Sequence, residues 1–175
     1  MSRAAVAVLF FVLGVLAVPA GVYLWLTHGN VPVAVADPTL PMEKELVHKP
    51  LQARIAKEMP ASSPVPVNDA TLTDGARVYQ QQCAFCHGVP GRKSVIGASM
   101  FPKAPQLWER HHNGEDVGVS DDPVGESYWK VKNGIRLAGM PSYVNVLSDT
   151  EMWEVTNLMK DADKPVPATA QAYLK

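Results

Sequence analysis

The chain opens with one uninterrupted apolar run, and its polar residues begin only after that run has ended. Residues 4–26 carry no charged and no strongly polar side chain. At about 1.5 Å per helical residue this run would reach roughly 35 Å, enough to cross a hydrocarbon core about 30 Å thick. Tyr23 and Trp25 lie at its end, where aromatic side chains favour the membrane interface. The pattern predicts a transmembrane helix within an N-terminal anchor of residues 1–30.

A cleaved signal peptide is the alternative interpretation of this run, because Ala34-Val35-Ala36 resembles a cleavage site. The apolar core of a signal peptide is only about 7–15 residues long, and this site lies well beyond the run, so we favour a retained anchor. A buried core helix is disfavoured because the run has no polar face. Arg3 precedes the run and the next basic residue is Lys44, which predicts that the chain after the helix lies on the periplasmic side.

The segment of residues 31–70 is rich in proline and forms the predicted linker. Leu51 to Met59 is amphipathic, and we expect a short helix there, opened by Pro50 and closed by Pro60. The rest is typical of an extended, semi-rigid tether that holds the next domain away from the membrane. An ordered arm that packs on a partner subunit is the alternative.

Helical periodicity without strand-like alternation continues over residues 71–165, which predicts an all-α domain followed by a C-terminal tail of residues 166–175. Three helices are expected: one from Thr71 or Thr73 to Gln82, one around Gly125–Lys132 that stops at Gly134, and one that starts at the capping box Ser148-Asp149-Thr150-Glu151. A domain with so few short helices has a thin core, which a large apolar cofactor would complete.

Composition narrows the classes of function. The 175 residues suit one ordinary domain with an extension. Seventeen acidic against sixteen basic side chains exclude the strongly basic surface of a nucleic-acid-binding protein.

Both cysteines of the chain lie in Cys83-Ala84-Phe85-Cys86-His87, and C-x-x-C-H is the attachment signature of c-type haem. Two thiols at this spacing add to the two porphyrin vinyl groups, and the next residue offers an imidazole to the iron. A thioredoxin-like dithiol would need a βαβ setting, and zinc would need four ligands. A plain disulfide would not explain the histidine. The motif therefore predicts one covalent haem c, with His87 as an iron ligand.

Met140 is the favoured sixth ligand of the iron, because it stands between Gly139 and Pro141 in a loop that could pass close to the ring. A thioether ligand favours reduced iron and raises the potential. The other candidates are Met100, Met152 and Met159, which are expected to pack, and His111 and His112, which are expected in an exposed turn.

Residues 71–163 resemble class I mono-haem cytochromes c. The resemblance is carried by Gly75-x-x-x-Tyr79, Cys83-x-x-Cys86-His87-Gly88, Pro105-Gln106-Leu107, Asn133-Gly134, Met140-Pro141 and an aromatic last helix. It implies that Gly75 and Tyr79 cross Trp153, that the Pro105 carbonyl accepts the N–H of His87, and that Leu107 packs on the porphyrin. Tyr128 and Trp129 are expected to pack around the haem.

The expected function is outer-sphere electron transfer by a membrane-anchored carrier, with redox proteins or a membrane respiratory complex as partners and no small-molecule substrate. The alternative is a peroxidase-type enzyme with a labile sixth position, in which His111 or His112 would act as the distal base. Five acidic residues lie from Glu115 to Glu126, in a loop that is either solvated or a docking surface. The basic residues either rim the haem edge and steer an acidic partner, or are scattered surface charges; they are Arg92, Lys93, Lys130, Lys132 and Arg136.

Overall fold

The computed structural model describes residues 2–111 and 114–175, which form two compact units: the chain up to Glu43, and Lys44–Lys175. Within the described residues the helices are α1 (Arg3–His28), α2 (Glu43–Glu58), α3 (Asp69–Gln82), α4 (Ala84–His87), α5 (Val95–Ala98), α6 (Val124–Asn133), α7 (Asp149–Lys160) and α8 (Ala168–Gln171). Two short strands, β1 (Arg110–His111) and β2 (Asp116–Val117), pair antiparallel. The predicted all-α class is confirmed.

Helix α1 makes up most of the first unit, and it contains the whole predicted run of residues 4–26. The Ser2 hydroxyl caps it by accepting a hydrogen bond from the Ala5 N–H at 3.2 Å. Pro19 lies inside the helix, and none of its described side chains is buried. With a mean hydropathy of 2.6, α1 is long and apolar enough to cross a membrane, although a signal sequence would also meet this criterion.

The structure differs from the predicted tether in the second half of residues 31–70. Helix α2 extends over Glu43–Glu58 with Pro50 inside it, and Ile55 is only 1% exposed. The following turn lies against α6, where a Cβ at Gly125 would overlap the carbonyl oxygen of Pro60. The short helix expected over residues 51–59 is thus present but begins earlier, since α2 includes residues 43–50 and ends at Glu58.

Helix α7 also holds this stretch. Its Asn157 amide donates hydrogen bonds to the Ser63 hydroxyl at 3.1 Å and to the Val65 carbonyl at 3.2 Å. Both contacts join residues more than ninety positions apart, so the segment after α2 belongs to the packed domain.

The predicted C-terminal tail of residues 166–175 is also packed. Ala170 of α8 and Leu174 are buried with α3 in one core cluster. The hydroxyls of Thr73 and Thr169 lie 2.7 Å apart and link α3 to α8. The domain therefore extends past the predicted end at residue 165.

The caps of the longer helices follow the sequence signals. The capping box of α7 is formed by Ser148 and Glu151, as predicted, and α6 ends at Gly134 with φ of 67°. Helix α3 starts earlier than expected, since Asn68 is its N-cap and Thr71 completes the capping box. These signals are local, and this is why sequence reasoning finds them.

Helices α3 and α7 cross at Gly75, where a Cβ would overlap the carbonyl oxygen of Glu154. The implied contact of Tyr79 with Trp153 is replaced by two separate ring pairs. Tyr79 meets Trp108 edge to face at 5.8 Å, whereas Trp153 stacks on Tyr128 at 3.8 Å. Glycine at position 75 lets the helix backbones approach, and the aromatic rings then pack on either side of the crossing.

Candidate cofactor site

The two cysteines and His87 lie on one helical turn that follows α3. The His87 N–H donates to the Cys83 carbonyl at 2.9 Å, which closes the turn and brings the three side chains together. Both cysteines are partly buried and carry free thiols. Gly88 follows with φ of 74°, in the left-handed region that favours glycine. The sequence therefore builds a tight turn that presents two thiols and one imidazole.

The thiol of Cys83 is held in its protonated form. Burial, helped by the neighbouring Cys86, raises the pKa of Cys83 to about 12. A redox-active dithiol requires the opposite, because its attacking cysteine works as a thiolate with a lowered pKa. The environment of Cys83 thus argues against thioredoxin-like exchange.

His87 is oriented by its contact with Pro105. Its Nδ1 lies 2.7 Å from the Pro105 carbonyl oxygen, which can only accept, so Nδ1 carries the proton. Burial lowers the pKa of His87, and the hydrogen bond to Pro105 only partly opposes this. The imidazole is therefore neutral, with the lone pair of Nε2 available to a metal. This is the contact that the resemblance implied, and it also makes the ligand more basic.

Met140 lies in a loop that follows α6 and is hydrogen-bonded back to the end of that helix. The Ile135 N–H donates to the Met140 carbonyl at 3.2 Å, and the Tyr143 N–H donates to the Val131 carbonyl at 3.1 Å. A Cβ at Gly134 would come within 2.9 Å of the Met140 carbonyl oxygen, so only glycine fits where the loop leaves the helix. Met140 itself is half-buried. Its place as an iron ligand remains a prediction.

Leu107 and Trp129 occupy different surroundings. The Leu107 N–H donates to the His87 carbonyl at 3.2 Å, which places this residue beside the attachment turn. The Trp129 indole N–H donates to the Glu58 carboxylate at 3.0 Å, so its polar edge faces α2. This bond also lowers the pKa of Glu58. Sequence reasoning missed Glu58, because nothing in the predicted short helix of residues 51–59 indicates that it packs against Trp129.

The site residues fit a haem group in two ways. The donor set combines two thiols, a neutral imidazole and a thioether, which are the groups that hold haem c. In addition, large apolar side chains near both the attachment turn and the Met140 loop are exposed, as on a surface that an apolar group or partner covers. They are Phe85, Val95, Ile96, Phe101, Leu137, Val144 and Val146, and Phe85 is 73% exposed.

The charged residues around the site are largely paired within the domain. Lys130 lies 2.7 Å from Glu126 and 3.7 Å from Asp122. Lys132 lies 3.5 Å from Asp149, and Lys93 lies 3.0 Å from Glu109 (an exposed pair). Arg92 donates to the carbonyl of Lys175. These pairs partly neutralise the positive charge predicted around the haem edge and the negative charge of the acidic loop.

His111, the described candidate for a distal base, is held by the acidic loop of residues 115–126 (the inserted loop). Its Nε2 lies 2.6 Å from the Gly118 carbonyl oxygen and 3.8 Å from Asp121. Its ring nitrogen and the carboxylates of Asp116 and Asp121 lie within 4.8 Å of one another. His112 lies outside the described residues. The Lys160 ammonium secures this loop to α7 by donating to the Ser120 carbonyl at 2.6 Å.

A helical domain with a C-x-x-C-H turn, an oriented imidazole and a methionine loop defines a c-type cytochrome domain. Residues 70–159 match the family described as cytochrome c oxidase, cbb3-type, subunit III, and the chain belongs to this family. The match includes the cysteines, His87, Pro105 and Met140, and it confirms the resemblance to mono-haem cytochromes c. The protein is thus a haem protein of the electron-transfer type. Among curated proteins none matches the chain.

Proposed function

We propose that this protein carries single electrons between extracytoplasmic redox partners through one haem c, attached by Cys83 and Cys86 and ligated by His87 and Met140. The observation that carries the proposal is the 2.7 Å contact between His87 Nδ1 and the Pro105 carbonyl, directly after the two thiols. This contact leaves Nε2 as the only ring nitrogen that is free to bind iron. When bound, the haem supplies the one-electron couple.

The protein's own residues would keep this site closed to substrates. Pro105 fixes the tautomer and the ring plane of His87, and the glycine-flanked loop presents the Met140 thioether. If His87 and Met140 held the haem iron in these fixed positions, little rearrangement would accompany a change in its charge, and the haem would supply fast outer-sphere transfer. The peroxidase alternative would need a distal acid-base group, and His111 is engaged by the Gly118 carbonyl in the inserted loop. We therefore favour a carrier over an enzyme.

A spectroelectrochemical titration of the full-length protein tests the carrier proposal. One haem with one-electron exchange gives a single transition with a slope of about 59 mV per tenfold change in the ratio of oxidised to reduced protein. The oxidised protein should bind cyanide slowly, because Met140 must leave first. Rapid cyanide binding together with peroxidase turnover would support the enzyme instead.

For localisation, we propose that α1 anchors the protein and that the haem domain lies on the periplasmic side. The support is the length and hydropathy of α1 and the position of Arg3 before it. Deletion of residues 2–30, with a cleavable secretion signal supplied in their place, should move the haem protein from the membrane fraction to the soluble periplasmic fraction. If the wild-type chain were itself released by cleavage near residue 36, the anchor proposal would be wrong.

Membership of an oxidase complex is a further part of the proposal. It is supported by the description of the family and by the exposed apolar side chains around the site. A free carrier would elute alone from membranes solubilised in mild detergent. A fixed subunit would elute with its partner at a constant ratio.

A further inference from the structure

The segment from Ser94 to Met100 is attached to the haem-binding turn by side-chain hydrogen bonds. The Ser94 hydroxyl donates to the Phe85 carbonyl at 2.5 Å, and the Ser94 N–H donates to the Gln106 side-chain oxygen at 2.6 Å. The Gln106 amide then donates to the Cys86 carbonyl at 3.2 Å. Both carbonyls that accept these bonds thus belong to the C-x-x-C-H motif.

The backbone of α5 lies directly on the same turn. A Cβ at Gly97 would overlap the Cys86 carbonyl oxygen, so only glycine allows this approach. The Gly97 N–H donates to the Ser94 hydroxyl at 2.9 Å, and the Ala104 N–H donates to the Gly97 carbonyl at 3.0 Å. The segment therefore has a fixed position relative to Cys86.

Met100 follows α5 and reaches the loop that carries Met140. Its Cε occupies the position that a Cβ on Gly139 would take, and its Sδ lies 3.7 Å from that position. Apart from Ala138 and Met140, the chain neighbours of Gly139, no other described residue has an atom within 4 Å of this point. The φ of Gly139 lies outside the left-handed region, so what distinguishes glycine from alanine here is the contact with Met100.

We propose that Met100 is a positioning residue for the sixth iron ligand. Its thioether packs on Gly139 and thereby holds the Met140 loop against the segment that is bonded to Cys86. The turn that bears the two cysteines and His87 would thus also fix the position of the Met140 loop. This inference rests on the proposed ligation by Met140.

The loop has reason to need such a support. Its tip is a turn closed by a hydrogen bond from the Ala138 N–H to the Ile135 carbonyl at 3.1 Å, and Leu137 in this turn is 78% exposed. A long apolar side chain such as that of Met100 can fill an irregular gap beside the loop. Met100 is half-buried, so its removal would free the loop without opening the core.

The test compares four variants of the full-length holoprotein in the oxidised state: Met100→Ala, Gly139→Ala, both together, and Met100→Leu. Two quantities are measured, namely the far-red sulfur-to-iron charge-transfer band and the affinity for added imidazole, which competes with Met140. Ser99→Ala is the matched control, because Ser99 is the chain neighbour of Met100 on the same segment and its side chain is exposed.

Met100→Ala is expected to strengthen imidazole binding about tenfold, as for the loss of part of a buried side chain. Gly139→Ala should have nearly the same effect, because its methyl group displaces the end of Met100. The double variant should bind imidazole no more tightly than either single variant, since all three variants break the same contact between Met100 and Gly139. Met100→Leu should keep most of the wild-type behaviour.

The outcomes distinguish the positioning role of Met100 from the ligation of the iron by Met140. Wild-type imidazole affinity in Met100→Ala, or strictly additive effects in the double variant, would overturn the positioning role while the band of the wild type still supports Met140. Absence of the band from the wild type would instead refute the ligation by Met140, and the positioning role with it. A band that persists in Met140→Ala and disappears when Met100→Ala is added would make Met100 the ligand, and would also overturn the proposal.

Discussion

Replacement of Cys83 and Cys86 together by serine is expected to leave no covalently held haem. Serine has nearly the size of cysteine, but its hydroxyl does not form the thioether. Any haem that remains would be held only by His87 and Met140, and acid-organic extraction would remove it completely. Either single substitution keeps one thioether, so that the haem should stay with the polypeptide at a lower yield. Haem stain on denaturing gels measures both results.

Ala84→Ser is the matched control for these variants, because it introduces a serine on the same turn without removing a thiol. It should retain its haem after extraction. Haem that resists extraction from the double variant would show that another residue forms the covalent link, and the assignment of both cysteines would then be wrong.

Replacement of Met140 by alanine is expected to abolish the far-red band and to lower the reduction potential. Loss of the thioether removes the ligand that favours reduced iron. Axial ligands set haem potentials over a range of about 0.8 V, and we expect a fall on the order of 0.1–0.2 V. Cyanide should bind rapidly, because no protein ligand has to leave. The measurements are the oxidised spectrum, a potentiometric titration and cyanide-binding kinetics.

Met100→Leu serves as the control for Met140→Ala, since it also removes a methionine sulfur near the loop. It should keep the band and nearly the wild-type potential. If instead Met140→Ala left the potential and the band unchanged, Met140 would not be a ligand, and the sixth position would have to be sought among the other candidates.

The parts of the fold that follow from local signals could be predicted from the sequence. The Ser148–Glu151 capping box, the stop at Gly134 and the C-x-x-C-H turn each depend on residues within a few positions of one another. The contact of His87 with Pro105 joins distant residues, and only the family resemblance indicated it. Physical reasoning from composition and periodicity would not have found it.

The predictions from sequence are wrong where a segment is buried by distant parts of the chain. Pro50 is expected to start a helix, yet α2 runs through it and buries Ile55. Likewise, the residues after Pro165 form no strong pattern of their own, but Leu174 completes the core beside α3. A short amphipathic segment gains its structure from the surface it covers, and that surface is not visible in the segment itself.

The position of α2 also sets the length of the linker that would connect the haem domain to the membrane. Residues 29–42 separate α1 from α2, and at 3.3–3.6 Å per residue they span at most about 50 Å. The predicted linker of residues 31–70 would have allowed more than twice this distance. With α1 in a bilayer, the haem domain would stay within a thin layer next to the membrane. A short linker would keep its effective concentration at a membrane-bound partner in the millimolar range. On the proposed anchoring, partners that stay away from the membrane would have to come to it.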